Sequence, residues 1–372
     1  MIYNEIESIE EFDNLVSASK EFSAIAFQNI DLISRKSDIV TSTFNDCLFL
    51  GCKLDADLIN YLYSGNYIFP ALDVPFNCYP ARLYTHNILY DNIELGNTES
   101  YKQCYDYQVY KHYLSTGKEG RSIKETLARR LHDHAITDAV YDFISNYDQR
   151  KIVAIMGGHS LPRSESMYKK IALLSKRLCE LDYLMVSGGG PGAMEATHLG
   201  AWFAKRKESE LDEAVASLSD YPIYQHPGWL DSALQVIKRF PRISNSESLG
   251  VPTWLYGHEP ATPFASKIAK YFANSVREDG LLTIAKGGVI FTPGSAGTIQ
   301  EIFQDATQNH YLSFGYASPM IFFGNDFWIN EFPVYPFLKD SVKNGRYINL
   351  KLNISDEVDQ IITVLNNFSG SR

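Results

Sequence analysis

No stretch of this chain approaches the roughly eighteen consecutive apolar residues that a membrane-spanning helix needs. Its N-terminal run, Met-Ile-Tyr-Asn-Glu-Ile-Glu-Ser-Ile-Glu-Glu-Phe, has neither the basic nor the apolar segment of a secretory leader. Cysteine is scarce: five residues, an odd number, with no Cys-x-x-Cys pair. That excludes a disulfide framework and points to reduced thiols in a cytoplasmic setting. Positive charge is in deficit, with 34 Lys and Arg against 44 Asp and Glu. A net charge of −10 repels a polyphosphate backbone, so neither nucleic acid nor a membrane is expected as partner. A small phosphorylated ligand needs only a local positive site. A metal-ligand pattern is also lacking. His132-Asp133-His134 is the one tight His/Asp cluster, and on a helix that spacing turns its two imidazoles to different faces. No metal is expected. Residues 157–162 read Gly-Gly-His-Ser-Leu-Pro rather than G-x-G-x-x-G, which argues against a dinucleotide dehydrogenase.

What the chain does have is aromatic residues, 24 Tyr and 21 Phe, most of them suited to a core. Its 372 residues suffice for two domains or one with an appendage, and its character changes near residue 150. Three regions follow: residues 1–100, expected to hold short strands in an α+β appendage; a helical connector over 101–150; and an α/β domain over 151–372. In the first, Phe44, Phe49 and Leu54 recur every five residues, as do Cys47 with Cys52 and Phe27 with Leu32. That step fits coils of a pentapeptide-type β-solenoid, and it also fits a pair of ordinary strands. In the connector, Leu127, Leu131, Ile136, Val140 and Ile144 carry helical spacing.

From Lys151 onward, strand, turn and helix alternate. Strands are expected at 151–156, 183–187, 251–256, 288–292, 319–324 and 347–352. Helical stripes follow several of them, including one through Phe264, Ile268, Tyr271, Phe272 and Val276 that reaches Arg277 at its end. Repeated units of this kind predict a Rossmann-like, doubly wound parallel sheet, whose ligands bind at the strands' carboxyl ends where strand order reverses.

Two glycine-rich runs fall at such strand ends. The first is Gly188-Gly189-Gly190-Pro191-Gly192-Ala193-Met194. The second is Pro293-Gly294-Ser295-Ala296-Gly297-Thr298-Ile299-Gln300-Glu301. Glycines there let backbone N–H groups at a helix start approach a phosphate, and Thr298 can add its hydroxyl. Ile299, Ile302, Phe303 and Ala306 would face the core, leaving Glu301 on the side of Thr298 and Asp305, over the same sheet edge as the turn. Gly157, Gly158 and His159, after the first strand, could line that site as well.

Residues 153–301 resemble the Lonely-guy (LOG) family, long labelled "possible lysine decarboxylases", which act as nucleoside 5′-monophosphate phosphoribohydrolases. The family pattern P-G-G-x-G-T-x-x-E is met by residues 293–301. Its G-G-G-x-x-G-x-M is met by 188–194 with one residue fewer. The family's essential arginine lies about two dozen residues before the motif glutamate, and Arg277 precedes Glu301 by 24 positions. Ser295 departs from the second glycine of the pattern, and the usual H-x-R-K is replaced by Asn274-Ser275-Val276-Arg277-Glu278-Asp279. The resemblance implies catalytic roles for Glu301 and Arg277. It implies an AMP-like ligand held by Gly188, Gly189, Gly190, Gly192, Met194, Gly294, Ser295, Ala296, Gly297 and Thr298. It further implies a homodimer or higher homo-oligomer and no cofactor. The decarboxylase label calls for a pyridoxal-type lysine, and nothing around Lys286 suits one. Two functions stay open: hydrolysis of an N-glycosidic bond, giving free base and ribose 5-phosphate, or nucleotide binding and sensing without turnover.

Overall fold

The computed structural model describes residues 3–243 and 245–370. The chain divides into two compact units, residues 1–83 with 111–141, and 84–110 with 142–372. Residues 84–110, read as part of the N-terminal region and connector, therefore group with the α/β unit.

The first unit is built on parallel strands: β1 (Asn4–Ile6), β2 (Glu21–Ser23), β3 (Ile25–Gln28), β4 (Thr43–Asn45), β5 (Leu48–Leu50) and β6 (Tyr67–Phe69). Between them lie α1 (Ile9–Ala18), α2 (Lys36–Val40) and α3 (Ala56–Leu62). Phe22 pairs with Phe44 and Phe27 with Phe49, the same offset of 22 residues in two adjacent sheets. Each turn of this coil has two straight sides joined by a corner, and a helical segment closes it. Positive φ at Ala24, Asn29, Asp46 and Gly51 sets the corners five residues apart. This is the origin of the five-residue step: the solenoid rule holds for two sides of each coil, and helices replace the others. Phe27 stacks on Phe49 at 4.9 Å, and Phe12, Phe22 and Phe44 pack around that pair. The Cys52 thiol donates to the Phe27 carbonyl one coil back. In the same unit His132 is buried beside Asp133, whereas His134 is exposed.

The short helix α4 (His86–Leu89) precedes α5 (Tyr105–Thr116) and α6 (Ile123–Ser145), which both run across the division. The second unit then adds β7 (Ile152–Met156), α7 (Ser166–Glu180), β8 (Leu184–Ser187), α8 (Ala193–Trp202), α9 (Glu208–Ser219), α10 (Trp229–Arg239), β9 (Ser248–Gly250) and β10 (Lys267–Ile268). After these come α11 (Asn274–Ile284), β11 (Gly288–Phe291), α12 (Ala296–His310), β12 (Pro319–Phe323), α13 (Val334–Lys343), β13 (Lys351–Ser355) and α14 (Val358–Gly370). The seven strands form one parallel sheet in the order β10-β9-β8-β7-β11-β12-β13. Every residue of β7, β8, β11 and β12 is buried, as expected for strands covered on both faces. The chain winds outward from β7 to β10, then returns to β11 on the other flank of β7. With right-handed crossovers that reversal places helices on opposite faces, which makes the sheet doubly wound and Rossmann-like. Accordingly α7 packs on α8 and α14, while α11 packs on α12.

Several elements differ from the sequence reading. The strand expected at 251–256 lies at β9, and 254–256 is a 3-10 turn capped by the Thr253 hydroxyl. The last strand starts at Lys351 rather than Tyr347. The helix expected through Phe264 to Val276 is instead the two-residue strand β10, a loop and the start of α11. Tertiary packing, not helical period, buries those aromatic residues: Phe272 stacks on Trp254 at 4.5 Å. The loop is anchored by Lys270, whose ammonium lies 2.6 Å from the fully buried Asp106 carboxylate. Asp106 also accepts from Trp254 Nε1 and the Tyr101 hydroxyl. Among the described residues, no helix is long and apolar enough to cross a membrane.

Candidate functional site

Strand β7 stands at the reversal point, with β8 on one side and β11 on the other. The turns leaving these three strands carry Gly157-Gly158-His159, the first glycine run and the second. Gly158 ties them together. Its N–H donates to the Pro293 carbonyl, and its own carbonyl accepts from Ala193 N–H, each at 3.1 Å. A Cβ at Gly157 would collide with the Thr292 hydroxyl, and one at Gly192 with the Gly158 carbonyl. These glycines are demanded by the close approach of three backbones.

Together the turns wall a cavity of about 280 Å³. Eleven of the residues singled out by sequence line it: Gly157, Gly158 and His159; Gly188, Gly190 and Met194; Ser295, Gly297 and Thr298; and Arg277 with Glu301. Gly189, Gly192, Gly294 and Ala296 do not. Gly189 and Gly192 adopt left-handed backbone, with φ of 69° and 68°, so their role is to shape the turn. A Cβ on Gly294 would strike Thr298 Oγ1, so this glycine serves packing, and Ala296 is exposed at the first position of α12.

The two turns differ in what they offer an anion. In the first, the Gly189 N–H is taken by the Ser187 hydroxyl and the Ala193 N–H by Gly158. Ser187 is itself held by His198, whose other ring nitrogen meets the Ser248 hydroxyl at 2.9 Å. Full burial drives the His198 pKa down to about 3, so this bridge is an uncharged imidazole. In the second turn, Ser295 stands at the N-cap position of the fifteen-residue helix α12 but its side chain makes no capping hydrogen bond, and the first N–H groups of a helix lack intrahelical partners. Donors for an anion are therefore concentrated at the α12 start.

Arg277 sits in the first turn of α11, not at a helix end. Its Nε donates to the Val251 carbonyl at 2.9 Å, and its guanidinium lies across Gly188, where a Cβ would collide with Nη2. Glu301, one turn into α12, has its carboxyl raised to about 7. Desolvation dominates; Arg277 opposes the rise and Glu278 adds to it. One turn further, Asp305 was expected on an open face, yet it is buried and its carboxyl is pushed up to about 8 by desolvation. Asp305 Oδ1 accepts from Asn309, and Oδ2 has no hydrogen bond.

The sequence reading missed five lining residues: Pro252, Thr253, Tyr256, Glu259 and Glu278. Four come from the segment after β9. Their signal is positional, since residues just past a strand's carboxyl end face the ligand crevice. Placing the strand at 251–256 hid it. Glu278 holds Asn274 and Gln300, bridging the first turns of α11 and α12.

No family model matches the chain, and no curated protein matches it. A search of solved structures returned 41 chains. One is described as a molybdenum cofactor binding protein from the phototrophic bacterium Rippkaea orientalis, at 13% identity and a TM-score of 0.34, covering 58% of this chain and 95% of that one. Another, the structural genomics target TM1055, has 16% identity and a TM-score of 0.36, covering 58% and 98%. The strand order β10-β9-β8-β7-β11-β12-β13 by itself defines the doubly wound sheet.

Proposed function

We propose that the cavity binds a nucleoside 5′-monophosphate and hydrolyses its N-glycosidic bond to free base and ribose 5-phosphate. The observation that carries this reading is that Glu301 and Arg277 line one cavity together with the open start of α12. The 5′-phosphate would be held by the first amides of α12 with the Ser295 and Thr298 hydroxyls, in the field of the helix dipole. Arg277 would add a positive group with a planar fork of donors. Anchoring the phosphate would set the ribose near Glu301, so that remote binding energy aids the reacting centre.

In the reaction, the C1′–N bond breaks as water oxygen bonds to C1′. Positive charge develops on the sugar, as in other glycoside hydrolyses, and a carboxylate next to it lowers the barrier. Glu301 would take the proton that the attacking water loses and pass it to the departing base. A carboxyl near 7 is suited to both halves of that transfer at neutral pH. Non-catalytic binding of the same ligand remains the alternative. A panel of nucleoside monophosphates, assayed by chromatography for free base and ribose 5-phosphate, separates the two. Release of base that stops on Glu301→Gln, with binding retained, is the expected result. Ligand-induced thermal stabilisation with no base released from any nucleotide would leave only the binding function. We also infer a homodimer or higher homo-oligomer, from the family resemblance alone; sedimentation would test it.

A further inference from the structure

The cavity contains a carboxylate that the proposed hydrolysis does not use. Glu259 lines it, with a side chain only 15% exposed. Its closest cationic-type neighbours are ring nitrogens of His159 and His258, at 3.9 and 3.8 Å, both beyond hydrogen-bond length. Among the described residues, nothing donates a hydrogen bond to either carboxylate oxygen. Oε2 hangs over the first glycine run, 3.9 Å from where a Gly190 Cβ would stand. Its backbone is held, because Glu259 N–H donates to the Tyr256 carbonyl at 2.8 Å.

A carboxylate's oxygens serve as acceptors, and in a cavity wall without a protein donor they are open to a partner that brings one. The group is therefore poised for a ligand that brings N–H donors. That ligand part is not the phosphate, which Glu259 would repel and which has its donors at α12. The lining thus divides by chemistry: an anion at the α12 start, and an uncharged, donor-bearing group at Glu259, with the rings of His159 and Tyr256 also in the wall. Resting on the nucleotide reading above, we propose that Glu259 is a specificity-determining residue that selects bases presenting an amino group over those presenting a carbonyl at the same position. A carbonyl oxygen placed there faces carboxylate oxygen and leaves both acceptors unpaired, a mismatch that sites reject strongly.

The test uses two shape-matched pairs, AMP with IMP and CMP with UMP, on the full chain and on Glu259→Gln. Dissociation constants come from calorimetry, and base release is measured separately. The wild-type protein should bind the amino member at least tenfold more tightly in one pair or both. Glu259→Gln can turn its amide to donate or accept, so the ratio should fall to within about threefold of unity. Ratios below tenfold in both pairs, a ratio unchanged in Glu259→Gln, or no binding of any of the four would each overturn the assignment. Because the wild-type ratios stand alone, a poorly folded variant does not rescue it. Discrimination in binding without base release would sink the hydrolase reading and leave this one standing. Base release without discrimination would do the reverse.

Discussion

Replacing Glu301 by Gln should stabilise the protein and abolish turnover together. The carboxyl moves from 4.5 to about 7 on folding, chiefly through desolvation. At about 1.36 kcal/mol per pH unit, the full displacement corresponds to about 3 kcal/mol. Glu301 keeps some exposed surface, so solvent screening reduces this to about 1–2 kcal/mol. The direction follows from proton uptake. Between pH 4.5 and about 7 the folded state holds the proton that the unfolded state has lost, so stability falls as pH rises through that window. Glutamine has no such proton. The stability gap between variant and wild type should be near zero at pH 4, open across the window and level off by pH 8. Denaturant melts at half-unit pH steps measure it, and Asp305, present in both proteins, drops out of the difference. Base release should fall by about 10²–10⁴-fold at the same time. A gap that is constant from pH 4 to 9 would refute the claim that this carboxyl is desolvated in the folded protein.

Three further outcomes are expected. Arg277→Ala should weaken nucleotide monophosphate binding at least tenfold by calorimetry, because the site loses its one guanidinium, while binding of the dephosphorylated nucleoside changes little. Gly192→Ala places a Cβ on the Gly158 carbonyl at a φ of 68°, so it should lower stability by about 2–4 kcal/mol in urea and abolish thermal stabilisation by ligand. Lys270→Met strands the buried Asp106 carboxylate and should destabilise by about 3–5 kcal/mol; restoring charge balance with Asp106→Asn in the same chain should recover part of that loss.

The parts of the fold that could be read from sequence are those where one local pattern has one physical cause. Ile152–Met156 is wholly buried, and a wholly apolar run of that length ending in glycines has few alternatives to a central parallel strand. The glycine runs were legible as turns for the same reason. What could not be read is which of their glycines face the ligand. Gly189 and Gly192 satisfy backbone conformation, whereas Gly188 and Gly190 open space in the cavity, and a string of identical residues carries no mark of that division. The N-terminal coil shows a similar limit. Its five-residue step is visible because left-handed corners recur at Ala24 and Asn29, then at Asp46 and Gly51. Its 22-residue turn is not, since two well-matched copies make no evident repeat and the helical side follows different rules.

Arg277 shows where periodicity misleads and what corrects it. Phe264, Ile268, Tyr271 and Phe272 are spaced as on a helix, but Lys267 and Ile268 pair with β9, Ile268 bridges to Tyr84 and Tyr271 to Thr253, so tertiary pairing holds the segment extended. Moving the helix start to Asn274 changes the electrostatic meaning of the arginine. At a helix end a guanidinium would be favoured by the dipole and need no further reason. In the first turn it is disfavoured, and a helix start prefers an acid. Arg277 is held there by the Val251 carbonyl, in a cavity that also contains Glu301, Glu278 and Glu259. A cation kept against the local dipole, beside a carboxyl kept against its own desolvation, is stabilised by neither the helix nor the solvent. A bound anion would relieve the first, and a developing positive charge on the sugar would relieve the second. The two unfavourable placements would thus be complementary to the two charges of the proposed nucleotide substrate.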